Sequence, residues 1–340
     1  MSGTKKRWPA PSATPWDGLD PKDLSAQQRI VMESHRSIYG FRHDSYQGDI
    51  DFLNSYIRTK CPRCDSTSIC FNGKYKNGLT RCACKDCGKT FGPTTGTIFE
   101  DKKLPIPAWV DFLLQALSFE SLSSMIREDR RAVTTTPYWM EKIFLVLKDI
   151  QTHVVLSGEV QIDETYYPVP QKDERLTPNG KKLRGLSRNK LCIAIGCDTN
   201  HRSVFIYEGH GKTNRKRTWN ALGNHIAEKS KLIHDMEHAH DILVERLSLE
   251  SEAHNSKLIS KLDDSKNPLC EVNHLCFLLK QFLHMHSGFN RNNLQDYLNL
   301  FFVAMNPPYH KMEKVAMILD LAMQKQVTYR YRDYASRFMI

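Results

Sequence analysis

The sequence lacks any run of about 18 apolar residues, so no membrane-spanning helix is expected. Its opening, MSGTKKRWPAPSATPW, has basic residues but no apolar stretch behind them, which argues against a secretory signal. Glycine (17) and proline (15) are too few for a collagen-like or low-complexity chain of 340 residues. Ten cysteines without a signal are too sparse for a disulfide scaffold. No self-similarity recurs at a period of roughly 20–50 residues, so a repeat architecture is not expected. Acidic residues are in deficit: 38 Asp and Glu stand against 48 Lys and Arg, a formal charge of +10. That balance points to an anionic partner, and nucleic acid is the usual one. A cytoplasmic, DNA-associated protein of two or three domains is the expectation, with no membrane partner.

What is present is unevenly distributed. Six of the ten cysteines fall between Cys61 and Cys87. CPRC and CKDC form two Cys-x-x-Cys knuckles, Cys61/Cys64 and Cys84/Cys87, with nineteen residues between Cys64 and Cys84. This spacing fits a closed four-thiolate zinc site of structural type. The segment has little apolar content, so metal binding would supply its folding energy. Cys82 is a possible substitute for Cys84, and Cys70 a spare. A redox pair or free thiols are the alternatives. Cys192, Cys197, Cys270 and Cys276 sit among apolar neighbours and read as small buried hydrophobes.

Before the cysteines, residues 1–55 read as an arm carrying Trp8 and Trp16, with a short helix from Asp23 to His35. After them, WVDFLLQALSF behind Pro107, then Ser121–Arg127, then TTTPYWMEKIFLVL give helix, helix, turn, helix. In a helix-turn-helix the start of the last helix reaches base edges, which nominates Thr136, Tyr138 and Trp139. A small helical linker is the bland alternative.

From Glu159 the pattern turns α/β. GEVQIDETYY, Leu191–Cys197, Ser203–Tyr207 and SKLIHD read as strands. Thr213–Lys229, Ala239–Leu247, EVNHLCFLLKQFLHMH, NLQDYLNLFFVAMN and Lys311–Met323 read as helices, and residues 250–270 as polar and irregular. Asp163 sits mid-strand between apolar residues, where an ionised carboxylate is costly unless paired or metal-bound. Asp235 ends a second strand. Asn273 and Lys280 are seven residues apart on one helix face. Two Asp on strands plus a polar helix residue suit a two-metal site of the ribonuclease H-like kind, with magnesium as the ion. Any one of these residues alone is more simply a cap or a surface group.

Residues 172–217 hold twelve Lys or Arg against four Asp or Glu. Most lie in two loops, with Lys181, Lys182, Arg184, Arg188 and Lys190 in the first and Lys212, Arg215, Lys216 and Arg217 in the second. Loops beside a carboxylate site are where a phosphate backbone would run, although a solvated basic face has the same composition.

Taken together, CPRC…RCACKDCGKTF, TGTIFEDKKLPIPAW, QIDETYYP, LIHDMEHAH, NHLCFLLKQFL and NLQDYLNLF resemble bacterial insertion-sequence transposases of the DDE class, ISXO2-like type. The matching stretches span roughly residues 61–306. The resemblance implies a zinc ribbon (56–98) after the N-terminal arm, a helix-turn-helix (99–152), a ribonuclease H-like mixed-sheet catalytic domain (153–310), and a C-terminal helix and tail (311–340). It implies Asp163, Asp235, Asn273 and Lys280 as the active site in its DDNK variant. Asp163, Asp235 and Asn273 would hold two magnesium ions, and Lys280 would contact a phosphate. Glu164 and His240 are supporting residues behind the metal ligands. Double-stranded DNA, as transposon ends and target, and a homo-oligomer are the implied partners. Two other readings compete: a transposase-derived DNA-binding protein without chemistry, and a metal-dependent nuclease that cuts without joining.

Overall fold

Residues 20–23, 25, 47–100, 106–129 and 132–338 are described by the computed structural model. Trp8, Trp16 and most of the helix expected over 23–35 lie outside them. The chain divides into two compact units, Met1–Val146 with Met317–Ile340, and Leu147–Ala316. The expected boundaries at 152 and 310 therefore shift, and the chain from Met317 onward belongs with the first unit.

In the first unit, α1 (Gln47–Asn54) precedes a three-stranded antiparallel sheet of β1 (Ile69–Lys74), β2 (Thr80–Cys84) and β3 (Thr90–Phe91), with β2 central. Asn54 ties helix to sheet: its Oδ1 accepts from Thr80 N at 2.8 Å and its Nδ2 donates to Gly78 O at 3.2 Å. Among the described residues, the core of this sheet is Cys61, Cys84 and Phe91, with Ile69, Cys82 and Cys87 packed against them. So small an apolar set does not hold a fold without a cross-link.

Three helices follow, α2 (Ile106–Ala116), α3 (Leu122–Asp129) and α4 (Thr135–Leu147). Asp49 accepts from the Ile106 N–H with both carboxylate oxygens at 3.0 Å, anchoring the start of α2. Trp109 of α2 stacks flat on Trp139 of α4 at 3.9 Å between ring centres, and Phe112 meets Trp139 edge-on at 5.6 Å. This packing corrects the sequence-based assignment of Thr136 and Trp139 to a base-reading surface. Thr136 is fully buried and Trp139 is 6% exposed, so neither side chain is presented to a ligand. Tyr138 is half-buried, and its hydroxyl donates to Tyr329 O at 2.7 Å. The C-terminal segment covers this end of α4 further. Tyr331 donates to Thr134 Oγ1 at 2.9 Å, and Tyr329 and Arg337 both reach Glu141.

The second unit is α/β with a mixed sheet. Its elements run β4 (Glu159–Pro168), β5 (Lys190–Asp198), β6 (Ser203–His210), α5 (Arg215–Leu222), β7 (Lys231–Asp235), α6 (Asp241–Leu247), β8 (Glu250–His254), α7 (Ser256–Ile259), α8 (Cys270–Met285) and α9 (Leu294–Met305). A further helix, α10 (Lys311–Gln324), crosses the boundary between units. The strand order is β6-β5-β4-β7-β8. β4, β5 and β6 pair antiparallel, and β4, β7 and β8 pair parallel. β8 overturns the expectation of an irregular 250–270: ESEAH has no apolar alternation, yet it pairs along all of β7 as an edge strand with mostly exposed side chains. The helix expected over Thr213–Lys229 ends at Leu222, where Gly223 follows.

β4 is the pivot, and its two faces do different things. Val160 and Ile162 join Ala194, Leu222, Leu232, Leu243 and Leu247 in a core beneath α5 and α6. The opposite face meets α8, where Gln161 accepts from Val272 N at 3.1 Å and Tyr167 donates to Leu283 O at 3.0 Å. The outer edge at β6 is closed by side-chain amides. Gln151 pairs with both backbone groups of Phe205, Gln295 accepts from Tyr207 N, and Asn306 pairs with Ser203. Covering an edge in this way removes a template for strand addition.

Candidate active site and metal centres

Parallel pairing of β4 with β7 sets the position of the two Asp. Gln161 lies beside Ile233, so two residues further along both strands Asp163 and Asp235 fall side by side at neighbouring strand spacing. By the two-residue period of a strand, Asp163 lies on the α8 face with Gln161, while Asp235 is the last residue of β7 and its Oδ1 stands 3.4 Å from His240 Nδ1. Burial pushes the Asp163 carboxyl up to about 6, and the nearby charges of Glu164 and Asp235 push the same way. The Glu164 N–H donates to Asp163 Oδ1 at 2.8 Å and opposes the rise in part. A carboxylate pair crowded at such cost is the donor set that a hard divalent cation relieves.

α8 supplies the third side. The Cys276 thiol lies 3.9 Å from Asp163 Oδ2. Asn273 and Lys280 are one turn before and after Cys276, so they share its stripe toward Asp163. Both are exposed, and neither side chain has a hydrogen bond or ion pair among the described residues. Asp163 and Asp235 thus lie on neighbouring strands beside the stripe of α8 that carries Asn273 and Lys280.

Glu164 faces the other way, toward α6. It accepts from His240 Nε2 at 3.0 Å, and His240 Nδ1 stands 3.4 Å from Asp235 Oδ1. His240 is fully buried; burial works to lower its pKa, but Glu164, Asp235 and Asp163 outweigh this and raise it. His234 was not singled out from sequence. It is 2% exposed, with Nδ1 3.2 Å from His240 Nδ1 and Nε2 3.0 Å from Ser251 Oγ. Its position between apolar Ile233 and Asp235 was the available signal: a polar residue facing the core of a strand needs partners. Glu208 was also missed. It is the extra residue of a bulge in β6, beside Gly209 at φ +126°, and the Cys192 thiol donates to it at 3.5 Å.

The basic loops are partly neutralised. Lys182 pairs with Glu174, Lys212 with Glu237, and Arg215 with Glu245 and Asp241. Arg217 donates to Lys212 O, and Lys190 is half-buried. Lys181, Arg184, Arg188 and Lys216 are exposed and carry no ion pair among the described residues. Lys212 lies next to the carboxylates: the Glu237 ion pair, and more weakly Asp235 and Glu164, raise its pKa.

In the first unit, the thiols that gather are Cys61, Cys64, Cys84 and Cys87, so Cys82 and Cys70 are not part of the cluster. The two knuckles repeat one backbone turn. Asp65 N donates to Cys61 O and Gly88 N to Cys84 O, and each turn closes on a left-handed residue, Asp65 at φ +57° and Gly88 at φ +66°. Backbone N–H groups of Cys87 and Asp86 favour the Cys84 thiolate and lower it to about 7. Cys61 and Cys87 sulfurs are 3.7 Å apart, and Cys64 and Cys84 sulfurs 3.6 Å. Four thiolates at a Zn–S distance of about 2.3 Å stand roughly 3.75 Å apart along a tetrahedral edge, so these residues fit zinc.

No helix among the described residues is long and apolar enough to cross a membrane. No protein-family model matches the chain. Over 254 residues it is 26% identical to an uncharacterized protein in transposable element ISH50 of Halobacterium salinarum, covering 71% of this chain and 83% of that protein. Among solved structures it is similar to a chain in the crystal structure of a pre-cleavage Mos1 transpososome, at 12% identity over 66% of this chain and 79% of that one. The TM-score of that likeness is 0.24, too low to support an argument.

Proposed function

We propose that this chain is a DNA transposase of the DDE class in which Asn273 takes the third position. The observation that carries the reading is that Asp163 and Asp235 lie on neighbouring strands of a mixed sheet beside the α8 stripe that carries Asn273 and Lys280. The relative in a transposable element supports the same reading. The strand order, with an antiparallel β4–β5–β6 hairpin pair and parallel β7 and β8, suits a ribonuclease H-like catalytic domain.

Asp163, Asp235 and the amide oxygen of Asn273 would hold magnesium. Bound there, it supplies Lewis acidity toward a phosphodiester and lowers the pKa of an attacking water. Glu164 and His240 orient Asp235 from behind. Lys280 meets the scissile or neighbouring phosphate and offsets the negative charge that develops on it. Arg184, Arg188 and Lys216 run along the flanking DNA backbone. The thiolate cluster holds a structural zinc, and the unit that carries it contributes to end binding. Assembly as a dimer or larger on double-stranded DNA follows from handling two ends.

The test is a mobilisation assay. A marker placed between the DNA segments that flank the gene is supplied with wild-type or Asp163→Ala protein. Movement with the wild type, and none with a variant that still binds the flanks, is the expected result. Movement with both proteins, or with neither, would overturn the reading.

A further inference from the structure

The side chains of His234, Asp235 and His240 bring one ligand atom each within 4.8 Å of one another. The arrangement is more specific than proximity. His240 Nε2 faces the Glu164 carboxylate at 3.0 Å, so that nitrogen carries the proton. Neutral His240 then presents the lone pair of Nδ1. His234 Nε2 faces the Ser251 hydroxyl at 3.0 Å; in the tautomer whose Nε2–H donates to that hydroxyl, the His234 Nδ1 lone pair is open. Those two Nδ1 atoms are 3.2 Å apart, and Asp235 Oδ1 is 3.4 Å from that of His240.

Three electron-pair donors therefore converge in a buried place, with both imidazoles at least 98% shielded from solvent. A tetrahedral ion with bonds of about 2.05 Å places its ligand atoms roughly 3.35 Å apart. Both measured separations fall near that edge length. The outer nitrogens are held by a carboxylate and a hydroxyl, which is how metal-bound histidines are oriented. Two imidazoles and one carboxylate select a borderline divalent ion of the zinc type over magnesium. Asp235 is the half-buried member of the three, and three ligands leave a tetrahedral ion one position open.

We infer that His234, Asp235 and His240 form a second zinc-type metal site, separate from the thiolate cluster and open at one coordination position. It shares Asp235 with the proposed magnesium site but does not depend on that reading. The competing arrangement has no metal: His240 carries a proton on both nitrogens, Nε2–H donating to Glu164 and Nδ1–H directed at Asp235 and His234 Nδ1.

The full chain, stripped of metal and titrated with Co2+ under anaerobic conditions, decides between them. Two tetrahedral cobalt ions per chain are expected. One shows the thiolate charge-transfer band, and the other shows visible absorption without it. The second signal is expected to persist in Cys61→Ser/Cys64→Ser and in Asp163→Ala. It is expected to be lost in His234→Gln and in His240→Gln with the charge-transfer band retained and with far-UV circular dichroism and thermal unfolding like the wild type, which report that the second unit of those variants still folds. A single tetrahedral cobalt per wild-type chain, or a second one that survives both histidine substitutions, would overturn the site. The weak absorption of octahedral cobalt at Asp163 and Asp235 does not mimic the signal. Failure of the chain to mobilise DNA would count against the transposase reading and leave this assignment standing.

Discussion

His286, at the C-terminal end of α8, is an imidazole in an apolar box. It is 5% exposed, its ring lies 4.8 Å from Phe282 and 5.2 Å from Tyr297, and neither ring nitrogen has a hydrogen-bond partner among the described residues. Burial lowers its pKa from 6.5 to about 4. In the unfolded chain it takes up a proton near 6.5, and in the folded chain only near 4. Between those values the unfolded state binds more protons, so stability falls as pH drops through that window. The gap corresponds to roughly 3 kcal/mol, all of it present above 6.5 and lost by 4. Urea denaturation of wild type and His286→Phe at pH 7 and pH 4 checks this. The variant is expected to lose less stability on acidification, by up to that amount. Equal losses would show that His286 is not neutral in the fold.

At the same scale, some residues of the proposed sites are legible in the sequence and others are hidden, for a physical reason. Asp163 was legible because a charge between apolar strand neighbours needs an explanation. Asp235, Asn273 and Lys280 followed from spacing and resemblance. His234 was not legible, because histidine is common enough in strands to pass as a surface group, and its meaning depends on His240 folding back six residues later. Ser251 was hidden for the same reason, lying in a segment with no strand pattern.

At the scale of elements, the three helices of the first unit were legible in outline, and their facing was not. Thr136 and Trp139 were placed by a positional rule for recognition helices, which says nothing about which face of α4 is apolar. Trp139 is the flat partner of Trp109 in the core of these helices. Trp139→Ala is therefore expected to cost about 3–5 kcal/mol of stability in that unit. Trp139→Phe retains ring burial and is expected to keep DNA affinity close to wild type. Thermal unfolding together with a band-shift titration separates the two readings. A Trp139→Phe protein that folds normally but loses sequence discrimination would restore the base-reading role. β8 shows the complementary failure: an edge strand needs no apolar alternation, since only its backbone is committed to β7.

At the scale of the whole molecule, the excess of twelve basic residues over four acidic ones in 172–217 marked a basic region from composition alone. It did not reveal which of those charges are already committed. Lys182, Lys212 and Arg215 face carboxylates of their own unit, whereas Arg184, Arg188 and Lys216 are exposed without an ion pair among the described residues. A cation that must first leave a carboxylate gains less from a phosphate than one that meets only water. The unpaired set should therefore dominate counterion release on DNA. Each phosphate contact contributes about 0.9 to the slope of log affinity against log salt, so replacing Arg184, Arg188 and Lys216 by Ala is expected to reduce that slope by about 2.7. Replacing Lys182, Lys212 and Arg215 together is expected to reduce it by distinctly less, because their carboxylate partners become unpaired at the same time. Affinities for a duplex carrying the end sequence, measured across a salt series, check both. If the two triple variants lost equal slope, the ion pairs would not be limiting and the loops would bind as one undivided basic surface. If neither lost slope, the DNA path would not cross these loops, whatever the site beside them does.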